Sequence, residues 1–407
     1  MAKVSRRGFL FGGAAATGAI VASPLSAAAG FAAGSSDAAT KAQLAGETAV
    51  LDRRAEFYGE HQNGIELELQ ACTSFVGLTL LPETDLAAAK RWFSLLTDDI
   101  SRLTKGEPIL ADATPQLAIG PAGLTVTVGI SPEFLNKLGL SRKAPPNFRQ
   151  LPSFSIDKLR EEFSGGDVLL HVSADDPVVL SHAVRSLTRD SAAFASVKYT
   201  QQGFANAQGV VPKGVRQRNL MGQVDGTANP EFGTEDFRQT VWIDSGPDWL
   251  VGGTMMVFRR IAMKLNTWDA LGRVEKEQVI GRDLKVGAPL GKANELDRPD
   301  FEATDANGML VIPEFAHIRR AHVPAAGERI FRRPFNYDQG VTSEGVPNVG
   351  LLWAAYQRDI ESQFLPIQRR LEQFDLLNVW TSPIGSAVFA ILPGVAEGQI
   401  LGEKLFA

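Results

Sequence analysis

Gly222-Gln223-Val224-Asp225-Gly226-Thr227-Ala228-Asn229-Pro230 sets a carboxylate between glycines and closes on two turn formers. Glycine on either side lets the backbone reach conformations that a Cβ forbids and approach a large flat ligand closely. Asn229-Pro230 then ends the turn. By spacing alone Asp225 reads as an Asx-turn residue bonded to its own backbone. The stretch lies just beyond a connection rich in Gly, Pro, Lys and Arg, residues 209–218, which divides the chain into two blocks of alternating elements.

In the first block, 71–81 has the β-branched and apolar run of a strand. Residues 84–104 carry Leu86, Trp92, Leu95, Leu96 and Leu103 at helical spacing. A strand at 124–130, a short helix at 132–138, a strand at 167–173, a helix at 177–194 starting from Asp175 or Asp176, and a strand at 197–204 complete it. The second block predicts strands at 240–243 and 252–265, helices at 267–281 and 359–371, and a closing strand at 386–392. Such alternation fits a parallel α/β sheet, and it fits equally two ferredoxin-like α+β units with antiparallel sheets. Periodicity does not separate them, and no sequence repeat between the blocks is visible.

Two downstream segments join the opening stretch: Phe315-Ala316-His317-Ile318-Arg319-Arg320-Ala321-His322 and Ile330-Phe331-Arg332-Arg333-Pro334-Phe335-Asn336-Tyr337. With Phe57-Tyr58-Gly59-Glu60-His61-Gln62-Asn63-Gly64-Ile65, these resemble the dye-decolourising (DyP-type) haem peroxidases, most closely the exported subgroup that includes the deferrochelatases. Gly222 to Thr227 matches the family's Gly-x-x-Asp-Gly-Thr signature, and the other two match its axial-histidine and distal-arginine segments. The resemblance implies an α+β fold of two ferredoxin-like halves, with haem held mainly by the second. The expected division is a first domain at 53–213 and a second at 214–407.

The N-terminus reads as a targeting segment. Ser5-Arg6-Arg7-Gly8-Phe9-Leu10 precedes a weakly apolar Ala/Gly run and small residues that suit a signal peptidase, which predicts a twin-arginine export signal over 1–29. Gly12, Gly13, Gly18, Ser23 and Pro24 interrupt that run before it spans a membrane. Residues 30–52, poor in large apolar groups, read as a flexible leader. Without Lys3, Arg6 and Arg7 the chain keeps 38 basic residues against 46 acidic ones, a balance that argues against nucleic acid as a partner. Cys72 is the sole cysteine, so neither an intrachain disulfide nor a Cys-based metal cluster is possible.

A haem iron needs a strong axial donor, commonly an imidazole. Of His61, His171, His182, His317 and His322, a histidine within a strand (His171) or on a helix (His182) reads as structural, and His61 has no assigned task. The resemblance implies one haem b per chain with His317 as iron ligand, His322 being the second candidate, and with His322, Val323 and Pro324 lining the cofactor. It places Asp225 as the acid/base that moves the peroxide proton and Arg332 as the fixed cation that stabilises charge developing as the O–O bond breaks. Arg333 is the adjacent-register alternative. Gly226, Thr227 and Ala228 are expected with their backbone against the macrocycle. Arg319 and Arg320 read either as propionate partners or as surface charges.

A carboxylate normally orients the axial imidazole; here Asn378 aligns with that position and Asp375 lies nearby. Pro334 stands where some relatives carry a distal Asn. Leu351, Leu352 and Trp353 read as an apolar distal wall, Leu351 more simply as core. Relatives oxidise bulky donors at the surface through Trp or Tyr, for which Trp268, Tyr337, Trp353, Tyr356 and Trp380 are the candidates. The expected activity is that of an exported haem b peroxidase that reduces hydrogen peroxide and oxidises dyes and phenols, favoured in acid. Two alternatives stand beside it: deferrochelatase-like release of iron from haem, and a haem carrier without turnover. The resemblance also implies a homo-oligomer, a dimer, and no stable membrane span.

Overall fold

The computed structural model describes residues 50–212, 214–323 and 327–407. The expected export segment, all but the end of the leader, and Pro324 lie outside them.

The first half runs β1 (Cys72–Leu80), α1 (Leu86–Leu103), β2 (Thr125–Ile130), α2 (Pro132–Lys137), β3 (Val168–Ala174), α3 (Pro177–Ser191) and β4 (Ala195–Phe204). The second runs α4 (Glu235–Val241), β5 (Thr254–Met263), α5 (Leu265–Asp269), α6 (Arg273–Ile280), α7 (His317–Arg320), β6 (Phe331–Val341), β7 (Pro347–Gln357), α8 (Leu365–Phe374), β8 (Thr381–Ile391) and α9 (Glu403–Phe406). A π-helical turn, Ile360–Phe364, leads into α8. The eight strands close one barrel in the order β1-β3-β2-β8-β5-β7-β6-β4, every pairing antiparallel.

Cut at its two thinnest joins, that barrel is two sheets of the same order, β4-β1-β3-β2 and β8-β5-β7-β6. In each, the half's fourth strand flanks its first, then its third, then its second, so a repeat invisible in the residues is present in the topology. The joins are slight: Gly129↔Ile391 and Ile130↔Ala390 on one side, Phe204↔Asn336 on the other.

Strand alternation sorts the side chains. Phe75, Leu169, Phe258, Phe335, Leu352, Tyr356 and Phe389 point into the barrel as one cluster. On the outer face of the first sheet Val76, Val128, Val168, Leu170 and Val172 meet Trp92, Phe93 and Leu96 of α1 and Leu180, Ala183 and Leu187 of α3. Each such large side chain taken from water contributes about 1.5–3 kcal/mol. Asp85 and Asp176 cap α1 and α3 by accepting from Ala88 N and from Val178 and Val179 N. Asp175, the other candidate cap, instead takes Arg53 at 2.7 Å.

The second half departs from the expected elements. Of the strand expected at 240–243, Thr240 and Val241 end α4 and Trp242 and Ile243 follow it outside any regular element; the helix is nucleated by the Thr234 cap with Glu235 and Asp236 in the first turn, where acids complement the helix dipole. The single helix expected at 267–281 is two, α5 and α6, separated at Ala270 to Gly272. The strand expected from 386 starts at Thr381, its opening carrying Pro383 and Gly385 beside a register shift in β5. Strands β6 and β7 were not expected as strands at all. No helix among the described residues is long and apolar enough to cross a membrane.

Candidate active site

The outer face of the second sheet, unlike that of the first, is not filled by a helix pair. Ile261 and Met263 of β5, Arg332 of β6, Leu351 and Trp353 of β7, and Thr381 and Pro383 of β8 line a cavity there. Its other walls come from Met221 and Asp225 before α4, Ile280 at the end of α6, His317 on α7, Gln368 and Leu371 of α8, and the turn holding Asp375, Leu377 and Asn378.

Arg332 and Arg333 are separated by the strand period. Arg332 points outward to the cavity, with Nη1 3.4 Å from Asp225 Oδ1. Arg333 points inward, fully buried, donating to Gln70 Oε1 at 2.9 Å and to the carbonyls of Leu67 and Ile65. Burial pulls its pKa down to about 10. Of the two registers, only Arg332 reaches the cavity.

The loop that carries Asp225 is tied to the free edge of β6. Gln217 Nε2 donates to Pro334 O at 3.0 Å, and Asn336 Nδ2 reaches Arg218 O at 3.4 Å. Asn229 brackets Arg332, accepting from its N at 3.1 Å and donating to its O at 2.8 Å. Proline costs nothing at 334 because that edge supplies only its carbonyl. Asn229, read from sequence as a turn former, thus fixes the arginine against the aspartate. Its only sequence signal is its place four residues after Asp225. Asp225 Oδ1 is buried without a hydrogen-bond partner, the Arg332 contact being too long and too oblique to count as one. Such an orphaned acceptor is costly unless a ligand or moving proton uses it.

His317 opens the one-turn helix α7, seated by Gly281. That residue ends α6 with φ +90°, and a Cβ on it would lie 2.7 Å from Ile318 Cγ1. His317 Nδ1 donates to Asp375 Oδ2 at 2.7 Å, leaving Nε2 as a lone-pair donor. Asp375, 6 % exposed, is held by accepting from Leu377 N at 3.0 Å through its other oxygen. The expected alignment of Asn378 is therefore corrected: Asn378 Nδ2 donates to Leu371 O at 2.8 Å, and Asp375 is the orienting acceptor. Burial pulls the imidazole's pKa down, but the charge and hydrogen bond of Asp375 outweigh it and leave a ring more basic than usual, with Arg332 opposing and Asp225 assisting. A neutral imidazole so polarised, an orphaned carboxylate oxygen, a guanidinium and apolar walls form a donor set that fits a haem iron.

The remaining candidates are placed as follows. His322 is exposed, its ring 4.9 Å from Phe301, and it does not line the cavity. Thr227 Oγ1 donates to Glu295 at 2.8 Å; Gly226, with φ +91°, half-buried Val323 and exposed Ala228 are likewise outside the lining. Arg319 is committed to the carbonyls of Phe301 and Ile312. Arg320 makes no ion pair among the described residues and its Nε is buried without a partner. Leu351 and Trp353 line the cavity, whereas Leu352 points into the barrel. His61 stacks on Trp242 at 3.9 Å, and His182 Nε2 lies 2.9 Å from Asp112. Of the five aromatic relay candidates, Trp268, Tyr337 and Tyr356 are fully buried, and Trp353 and Trp380 are partly exposed.

Residues 62–205 and 216–396 match the family models described as Dyp-type peroxidase, N-terminal, and Dyp-type peroxidase, C-terminal. The chain is 36 % identical to a dye-decolorizing peroxidase of Thermobifida fusca, over 98 % of this chain and 97 % of that one. It is 34 % identical to a deferrochelatase of Escherichia coli K12, over 89 % and 90 %. A crystal structure of a DyP-type peroxidase from Cellulomonas bogoriensis superposes with a TM-score of 0.85 at 46 % identity, covering 88 % of this chain and 99 % of that one.

Proposed function

Since the chain belongs to the DyP-type peroxidase family, an enzyme family that works with haem, we propose that the cavity on the second sheet is its haem site and that hydrogen peroxide is reduced there at the expense of dyes and phenols. Haem, when bound, supplies the iron at which peroxide's oxidising equivalents are taken up. His317 Nε2 would hold the iron, and Asp375 keeps that nitrogen free by holding the proton on Nδ1. Asp225 takes the peroxide proton on Oδ1 and returns it to the departing oxygen; general acid/base work of this kind contributes about 10²–10⁴-fold. Arg332 stabilises the negative charge that develops in that step, and Met221, Ile261 and Leu351 keep bulk water away from it. Arg320, whose Nε is buried without a partner, is the propionate partner.

The observation that carries this reading is the buried, unpartnered Asp225 Oδ1 beside Arg332 in the cavity that His317 enters. Haem binding alone requires neither group. Absorption spectra before and after one equivalent of peroxide test it. The expected result is a Soret band that His317→Ala abolishes or displaces, and a peroxide response that Asp225→Asn slows by at least about 10². An unchanged response in Asp225→Asn would remove the acid/base role. The deferrochelatase relative keeps a second reading in view, and accumulation of iron-free porphyrin fluorescence during turnover would favour it.

Bulky donors react at the surface through Trp380. Its ring meets that of Trp268 edge-on at 5.4 Å, and Trp268 Nε1 donates to the carbonyl of the cavity-lining Met221 at 3.1 Å. The protein leaves the cytoplasm by the twin-arginine route for the periplasm or beyond, on the strength of Arg6-Arg7 and the run after them, and works as a homodimer. Fractionation of an Arg6→Lys, Arg7→Lys variant and sedimentation of the wild type check these two statements.

A further inference from the structure

Inside the barrel, on the far side of the wall from the cavity, lies a titratable pair that the peroxide step does not use. Tyr356 on β7 is completely buried and its hydroxyl lies 3.1 Å from His171 Nδ1 on β3, itself 2 % exposed. Behind the imidazole, Thr73 Oγ1 lies 3.1 Å from Val172 O, a carbonyl that can only accept, and 2.9 Å from Ser173 Oγ. His171 Nε2 lies 2.9 Å from Thr73 Oγ1 and 3.3 Å from Ser173 Oγ, both of which can accept when the ring hydrogen is on Nε2. In that tautomer Nδ1 is bare and Tyr356 O–H donates to it. Burial raises the phenol's pKa and lowers the imidazole's to about 3, so both rest neutral.

A phenol directed at a bare imidazole nitrogen is the arrangement in which electron and proton can leave together. A buried phenol without an acceptor would retain an uncompensated charge on oxidation. Strand register brings this one next to the site: Tyr356 pairs with Phe331 and the adjacent Ala355 with Arg332.

We propose that Tyr356 and His171 are an internal redox pair that holds one oxidising equivalent when no organic donor is available. Tyr356 gives one electron to the cofactor oxidised by hydrogen peroxide. Its O–H bond breaks, an N–H bond forms on His171 Nδ1, and the products are a neutral phenoxyl and an imidazolium. Phe75, stacked on the imidazole at 4.0 Å and 10°, offers its π-face to the new cation. The Arg333 guanidinium, which opposes charge on His171, favours the proton's return and keeps the pair reversible. With no exposed surface, Tyr356 meets no donor and acts only through the cofactor.

The test is rapid-freeze electron paramagnetic resonance of the haem-loaded protein after one equivalent of peroxide without donor. The expected spectrum contains a tyrosyl signal with an exchangeable-proton coupling from the imidazolium. Tyr356→Phe should abolish the signal, and His171→Gln, which accepts a hydrogen bond but no proton, should lose it too. Retention of the Soret band in each variant separates loss of the pair from loss of the site. Should either variant fail to fold, tyrosine-ring deuteration of the unaltered protein replaces it. Narrowing of the signal supports the pair, and a signal that deuteration leaves unchanged overturns it. Absence of a tyrosyl signal in the wild type, or its persistence in Tyr356→Phe or His171→Gln, also overturns the proposal.

Discussion

Two of the residues that decide the site act through a neighbouring residue. Asp375 acts through His317: it fixes the tautomer and strengthens the donor, and outer acceptors of this type are worth about 10–100-fold in metal affinity or activity. Asp375→Asn should therefore weaken haem retention by that factor and shift the Soret band while the far-ultraviolet spectrum stays as it was; an unshifted band would leave Asp375 a structural cap on the turn after α8. Asn229 acts through Arg332, whose backbone it grips at both N and O. A misplacement of about 1 Å in a catalytic group costs on the order of 10²-fold, so Asn229→Ala should lower kcat far more than it raises the peroxide KM. A pure KM effect would assign Asn229 to binding instead. Of these contacts the Gly-x-x-Asp-Gly-Thr segment signals only Asp225, because a side chain bonded to another strand's backbone leaves no periodic trace.

Among the elements, legibility follows burial. Strands β1 to β3 and helices α1 and α3 are readable because that part of the first sheet buries one face in the barrel and the other under helices, which concentrates Val, Leu and Phe at regular positions, and β4 is readable from its alternation of buried and exposed residues. Strand β6 is not, since Arg332 faces a cavity and Arg333 is turned into the barrel, so that both faces break the apolar pattern; β7, apolar on both faces from Val349 to Tyr356, has no alternation to mark it as a strand. The helix pair also carries a titration. Asp99 on α1 is 2 % exposed and its pKa is raised to about 7, first by burial and then by the charges of Asp190 and Asp98, with Arg189 opposing. Between about pH 4 and 7 the folded chain keeps a proton there that the unfolded chain has released, so stability falls as pH rises through that window and levels off above it. The limit of the effect is on the order of 4 kcal/mol. Asp99→Asn should raise the urea midpoint at pH 8, with the gain vanishing towards pH 4; a gain independent of pH would show that Asp99 does not titrate this way.

At the scale of the molecule, two sheets of identical order meet through two residue pairs on one side and one on the other, against six or more within each sheet. Neighbouring halves are thus held mainly by side chains in the shared interior, which includes Phe75 and Leu169 from one and Phe258, Phe335 and Leu352 from the other. Cleavage in the connection at 209–212, where we place the division, should leave a nicked protein that keeps its Soret band, and halves produced together should associate; halves that precipitate apart would mean the connection itself is needed. The segments before β1 and after β8 also run side by side: His61 bridges Pro393, Gly59 N donates to Val395 O at 3.0 Å, and Gly394 N to Glu60 O at 3.0 Å. A barrel whose first and last strands are entered and left at adjoining segments, and whose halves repeat one pattern, is a closed loop opened at an arbitrary point. Which half the ribosome makes first then carries no information about the finished shape, and a gene with the two halves transposed would encode the same barrel.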